Sequence, residues 1–205
     1  MRIGMSIGKK SKSLVFILLL IPIGIIMTSI IAETAEDSNI KSRPDHWAKS
    51  LELEGLPNFY KVTDTLYRGA QPTDEGMLGL KKMGIKTVVN LRSLHSDKDE
   101  IGDIDLVYEH IPMIWHPNEE DVVKFLQVVT DTNNAPVFVH CMQGADRTGV
   151  MCAVYRIVVC GWTKEEAISE MTTGGFGYHR IWTNLIRFIE NLDISEINKK
   201  VKIKD

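Results

Sequence analysis

Read for its apolar positions, the chain changes rhythm several times. Residues 14–32 are almost wholly apolar, broken by Pro22 and Gly24, and residues 33–56 are mostly polar. From residue 58 onward, short runs rich in β-branched residues alternate with stretches of helical spacing. The runs at 58–66, 85–91, 106–111 and 136–139 predict strands. Met77, Leu80 and Met83 fall on one face of a helix opened by Pro72 and Thr73 and stopped by Gly84. Asn118, with Asp121 three residues on, caps a helix carrying Val122, Phe125, Leu126 and Val129. The long apolar run 150–160 predicts a buried helix, ended by Gly161. Thr163 and Glu166 form a capping box for the next, with Ala167, Ile168 and Met171. Beyond the turn Gly174-Gly175-Phe176-Gly177, the positions Ile181, Leu185, Phe188, Ile189 and Leu192 predict a last amphipathic helix. Such alternation implies an α/β sandwich, a central, mostly parallel sheet flanked by helices on both faces.

The N-terminal run changes the picture of where this domain works. Arg2, Lys9, Lys10 and Lys12 precede it, which is the layout of an export signal. Its length, near that of a bilayer span, also suits an uncleaved anchor, so membrane attachment through residues 14–32 stands beside cleavage. Either way the basic flank stays inside and the rest is delivered outside the cytoplasm, periplasmic or membrane-anchored. Residues 33–56 read as a polar linker whose Trp47 is a candidate to dock on the domain, 57–193 as the catalytic domain, and 194–205 as a basic, solvated tail. Net charge is −3, and without residues 1–32 there are 20 basic against 27 acidic residues, which argues against a nucleic-acid partner. Three cysteines do not make a disulfide scaffold; Cys152 and Cys160 read as small buried hydrophobes.

The chemistry gathers at His140-Cys141-Met142-Gln143-Gly144-Ala145-Asp146-Arg147-Thr148-Gly149, between the strand at 136–139 and the buried helix. Backbone N–H groups at the mouth of a helix form an anion cradle. Helix N-terminus and arginine both favour the thiolate of a cysteine placed there. Met142, Gln143, Gly144 and Ala145 would line the cradle, Gly144 allowing the sharp turn. Arg147 can grip two phosphate oxygens with its planar fork. Thr148 can donate to the sulfur or merely cap the helix, and His140 shapes the loop through its backbone. Nucleophile, cradle and clamp together suggest phosphoryl transfer through a phosphocysteine intermediate, with no cofactor and no metal.

This stretch resembles the His-Cys-x5-Arg-Thr/Ser-Gly signature of cysteine-based protein tyrosine and dual-specificity phosphatases. The likeness extends to Leu66-Tyr67-Arg68-Gly69-Ala70-Gln71-Pro72, to Val88-Val89-Asn90-Leu91-Arg92, and to Tyr155-Arg156-Ile157-Val158-Val159 with Gly161-Trp162 and Glu170-Met171, which are similar to bacterial secreted dual-specificity phosphatases. The resemblance implies the protein tyrosine phosphatase-like fold and a phosphorylated protein or a phosphoinositide as substrate, soluble inositol phosphate included. It also implies a general acid, ordinarily an Asp on a separate loop. That loop here is 113–121, and its relevant positions hold Ile114 to His116. Asp146 inside the cradle is one answer, as in phosphatases with a similar Gly-x-Asp-Arg-Thr ending. Glu119, Glu120 and Asp121 are another, although acids there also suit a helix N-terminus. His116 is a third. Arg68 and Arg92 stand at strand ends, for substrate contact or for structural ion pairs. A non-catalytic phosphate-binding module and a sulfur-transfer enzyme are the competing classes; the intact Cys141, Arg147 and Thr148 argue against the first, and Thr148-Gly149 against the second.

Overall fold

A computed structural model of the chain describes residues 43–114 and 117–201. The expected export segment, the first part of the expected linker, His116 and the last four residues lie outside the described residues. Among those described, no helix is long and apolar enough to cross a membrane.

The described strands make one sheet. In chain order they are β1 Lys49–Ser50, β2 Tyr60–Lys61, β3 Leu66–Gly69, β4 Thr87–Arg92, β5 Val107–Met113 and β6 Val137–His140. Their spatial order is β1-β2-β3-β6-β4-β5. The first three pair antiparallel, while β3, β6, β4 and β5 run parallel. The helices are α1 Asp74–Lys82, α2 Lys98–Ile101, α3 Glu119–Thr130, α4 Asp146–Val158, α5 Lys164–Thr173, α6 Thr183–Asn191 and α7 Ile194–Val201. This is the expected mostly parallel sheet flanked by helices.

The period-two rule explains the two layers. Val88 and Phe138 point into a core with Leu56, Phe59, Met77, Leu80 and Ile85, under α1 and α2. Their neighbours Val89, Leu91, Val137 and Val139 point the other way, into the larger core shared with α3 to α7. Helix α4 is buried from Thr148 to Ile157, which is why its sequence is apolar all round. Three caps foreseen in the sequence form: Thr73 accepts from Gly76 N–H, Asn118 exchanges bonds with Asp121, and Thr163 accepts from Glu166 N–H.

Several expectations are corrected. From residue 43 on, the supposed linker belongs to the fold. Lys49–Ser50 extend the sheet, Ala48 is buried, and Leu51 and Leu53 pack beside the smaller core. The anchor is long-range: Ala48 N–H donates to Glu170 Oε1 at 2.6 Å. Glu170 forms a bidentate pair with Arg156 at 2.9 Å, and that guanidinium lies 4.1 Å over Trp162. The supposed tail is likewise folded through α7, because Ile197 and Val201 sit on one face and are buried. Ile181 precedes α6 and is 79% exposed, so it does not belong to that helix's buried stripe. Cys152 is buried as expected, but Cys160 is exposed, just past the end of α4.

Candidate active site

Strand β6 delivers Cys141 to the end of the sheet, and α4 begins at Asp146. The loop between them is shaped from outside. Five successive carbonyls each meet a donor on the scaffold. Cys141 O faces His140 Nδ1 at 3.2 Å, and Met142 O accepts from Gln71 N–H at 3.2 Å. Gln143 O accepts from Asn58 Nδ2 at 2.8 Å, and Gly144 O from Arg68 Nη2 at 2.6 Å. Ala145 O accepts from Gly149 N–H at 3.0 Å. In a trans peptide the following N–H points opposite to the carbonyl. Carbonyls drawn outward therefore turn the N–H groups of residues 142–146 inward, towards the mouth of α4. The positive end of that helix adds to the same field.

Gly144 is where the turn is tightest. Its φ is +68°, and a Cβ there would sit 2.3 Å from Gly69 O. Arg68 does not line the Cys141 cavity and forms no ion pair among the described residues. It is 1% exposed, lies 3.8 Å over the Phe176 ring, and spends its Nη2 on the loop. Asn58, Gln71 and Arg68 thus brace the loop from 71 to 85 residues away in sequence. Only the motif likeness around Arg68 and Gln71 hinted at this.

Cys141 is 3% exposed and borders a cavity of about 370 Å³. Its polar lining includes Cys141, Gln143, Asp146, Arg147 and His179; Ile114, Ile181, Trp182 and Leu185 supply apolar walls. Arg147 reaches across the parallel strands, with Nη1 3.4 Å from both Leu91 O and Met113 O, at the ends of β4 and β5. The Thr148 hydroxyl, offered in sequence as a donor to the sulfur, is fully buried and has no hydrogen-bond partner among the described residues. Met142 stands 61% exposed on the rim. Arg92 donates to Gln71 Oε1 at 3.0 Å and lines an adjoining cavity with Arg147, Leu94 and Met142.

Behind the loop lies a residue that sequence reasoning passed over. Asp97 belongs to the polar, charged stretch 92–105, yet it is completely buried. Its Oδ2 is 2.7 Å from His140 Nε2, and its Oδ1 accepts from Asn90 Nδ2 at 2.9 Å and Gln71 Nε2 at 3.0 Å. Burial opposes the charge of Asp97, but the His140 bond and charge, with help from Gln71, hold its carboxyl below the usual carboxylate range. A depressed carboxyl stabilises the fold at pH above its unfolded value, and that stabilisation is lost as pH falls through the folded value. Asp97→Asn should therefore cost roughly 1.5–3 kcal/mol in urea unfolding at pH 7. The gap to the native protein should close below about pH 4. A gap independent of pH would remove the buried charge from this account.

The acid candidates separate clearly. Glu119 pairs with Lys200 at 2.8 Å, Glu120 with Lys124 at 2.8 Å, and Asp121 closes its capping box. None of the three borders the Cys141 cavity. Asp146 does, and both its oxygens are occupied by one residue. Oδ1 accepts from His179 N–H at 2.9 Å and Oδ2 lies 2.8 Å from His179 Nδ1. His179 carries no sequence signal beyond following the glycine turn. For metals, His95, Asp97 and Glu100 place ligand-type atoms within 4.8 Å of one another. Asp97 is already engaged by three donors, and the group lies off the Cys141 cavity.

A family model described as "DSP-PTPase phosphatase fused to NAD+ Kinase" matches residues 54–184. The dual specificity protein phosphatase TpbA of Pseudomonas aeruginosa PAO1 is 32% identical over 167 residues, covering 80% of this chain and 72% of that protein. Inositol diphosphatase DSP5 of Arabidopsis thaliana is 25% identical over 154 residues, 70% of this chain and 73% of that one. A crystal structure of P. aeruginosa TpbA in complex with pTyr is similar with a TM-score of 0.70 at 28% identity, over 78% of this chain and 98% of that chain.

Proposed function

The chain belongs to the DSP-PTPase phosphatases, and on that premise we propose that it hydrolyses aryl phosphomonoesters, phosphotyrosine in proteins foremost, through a phosphocysteine formed on Cys141. The observation that carries the reading is the cradle: five carbonyls pinned outward, with Cys141 at its base and Arg147 at its lip. The phosphate's non-bridging oxygens enter the N–H ring and the Arg147 fork. The Cys141 sulfur attacks phosphorus in line, the bond to the aryl oxygen breaks, and that oxygen takes a proton. Water then attacks phosphorus, the sulfur–phosphorus bond breaks, and inorganic phosphate leaves. The ring of inward donors stabilises the charge that builds up on the equatorial oxygens in both steps. Among the carboxylate candidates in the described residues, Asp146 is the one that borders the cavity in which those protons move. Thr148, buried and unpartnered, has its hydroxyl free for the sulfur once charge develops there.

The substrate class follows from the walls. Ile114, Ile181, Trp182 and Leu185 offer a slot for a flat apolar ring, and Arg147 is the only Lys or Arg lining this cavity among the described residues. An inositol polyphosphate carries several dianions and needs several cations. A phosphotyrosyl peptide should therefore exceed inositol hexakisphosphate in kcat/KM by about 10²-fold or more, measured as phosphate release under reducing conditions. Comparable or reversed values would overturn the aryl assignment. The export reading of residues 1–32 belongs to the same proposal and places the substrate outside the cytoplasm. Fusing those residues to a reporter that is active only after export tests it; a silent fusion would refute it.

A further inference from the structure

We propose, on the basis of the phosphatase reading above, that His179 is the residue that donates the proton to the leaving oxygen and later takes one from water, and that Asp146 acts by holding it. Asp146 sits in the first turn of α4 with both oxygens engaged by His179, one by its backbone N–H and one by its ring Nδ1. A carboxylate so engaged is a fixed acceptor. It locks the tautomer and the plane of the imidazole, as an acid does for a histidine that moves protons. With Nδ1 given to Asp146, Nε2 is the nitrogen left to exchange protons. The ring is about half exposed and lines the same cavity as Cys141 and Arg147. Asp146 itself is 18% exposed in its side chain.

Among the described residues, the ionisable groups that line the cavity with His179 are Asp146 from α4, Cys141 and Arg147. Tyr178 beside it turns its hydroxyl away, donating to Trp182 O at 2.6 Å. The proton balance closes on one atom. In the first step the ring starts as imidazolium, with Nδ1–H on Asp146 and its second proton on Nε2; sulfur bonds to phosphorus, the aryl P–O bond breaks, and the Nε2 proton passes to the departing oxygen, leaving neutral imidazole. In the second, water bonds to phosphorus as the S–P bond breaks. One water proton returns to Nε2, and Cys141 leaves as the thiolate. His179 and Cys141 are thereby restored to their starting forms. The loop that carries His179 begins with Gly174, Gly175 and Gly177, and the Phe176 at its centre is buried against Arg68. The ring's position is thus tied to the same arginine that braces the cradle.

The test uses the full chain and two aryl phosphates whose leaving groups differ in basicity, phenyl phosphate and 2,4-dinitrophenyl phosphate. Loss of a proton donor slows the basic leaving group and spares the activated one. His179→Gln and His179→Ala should each lose about 10²-fold or more in kcat/KM on phenyl phosphate and only a few-fold on the dinitrophenyl ester. The basic limb of the phenyl phosphate pH profile should flatten, and added imidazole should restore part of the His179→Ala rate. Unchanged inhibition by orthovanadate shows that the cradle is intact in these variants. Asp146→Asn should show the same selectivity more weakly. A selective loss in Asp146→Asn with His179→Gln unimpaired would overturn the proposal and return the proton to the carboxylate. Equal losses on both esters would overturn it in favour of a structural role. If the native protein turned over neither ester, the phosphatase reading itself would fail, and this inference with it.

Discussion

Cys141→Ser should lose activity by a factor on the order of 10⁴ or more towards every phosphomonoester, with binding of the phosphotyrosyl ligand preserved. The two halves of that expectation have separate causes. A serine hydroxyl is a far weaker nucleophile than a cysteine sulfur, so the covalent step stops. The anion site, however, is made of main chain held by Asn58, Arg68, Gln71 and Gly149, none of which touches the 141 side chain in doing so. Calorimetric titration with a phosphotyrosyl peptide, beside a turnover assay, reads both. A variant that kept more than about 1% of the rate would show that the phosphocysteine is not obligatory. A variant that lost binding along with turnover would show that the sulfur, not the backbone ring, holds the phosphate.

Gly144→Ala should be the most damaging change that removes no functional group. Alanine at φ +68° is strained by about 1–3 kcal/mol. The larger problem is space. The added carbon would lie 2.3 Å from Gly69 O, 2.4 Å from Gly69 C and 2.7 Å from Ala70 N. All three are backbone atoms of β3 and its exit, so no side chain can swing aside. The loop must lift off the strand, and the Gly144 O to Arg68 bond and the inward N–H of Ala145 go with it. A displacement near 1 Å is enough for about a 10²-fold loss of kcat/KM. Gly84→Ala is the matching control. Gly84 has φ +88° but nothing within 4 Å of an added Cβ, so it should lose stability and keep activity. Equal kinetic damage in both variants would attribute the effect to backbone strain rather than to the contact with β3.

The sequence showed plainly what repeats along it or sits close together. The alternation of strands and helices, the caps at Thr73, Asn118 and Thr163, and the run from His140 to Gly149 are local, and the structure has them close to where the residues suggested, except that the single strand expected at 58–66 is divided between β2 and the start of β3. What escaped was set by partners far along the chain. Asp97 looked like one more charge in a polar stretch, because nothing nearby shows that His140, Asn90 and Gln71 converge on it. Residues 43–56 looked like linker because their anchor, Glu170, lies 122 positions after Ala48. The basic end looked solvated because lysines outnumber the two positions, Ile197 and Val201, that bury its helix. His179 was overlooked for a related reason. A lone histidine after a glycine turn has no pattern, and its meaning appears only when Asp146 is found 2.8 Å away.

The outward-pinned carbonyls carry one more implication, for how such a loop can vary. Every brace grips main chain, so the side chains of Met142, Gln143 and Ala145 take no part in forming the ring of donors. Met142 already projects into solvent, 61% exposed. Reactivity and selectivity are therefore written in different atoms of the same few residues. Exchanging Met142 or Gln143 alters what the rim greets while the ring beneath keeps its shape. A library varied at those two positions, with Asn58, Arg68 and Gln71 left intact, is a route to new substrates that does not first have to rebuild the catalyst.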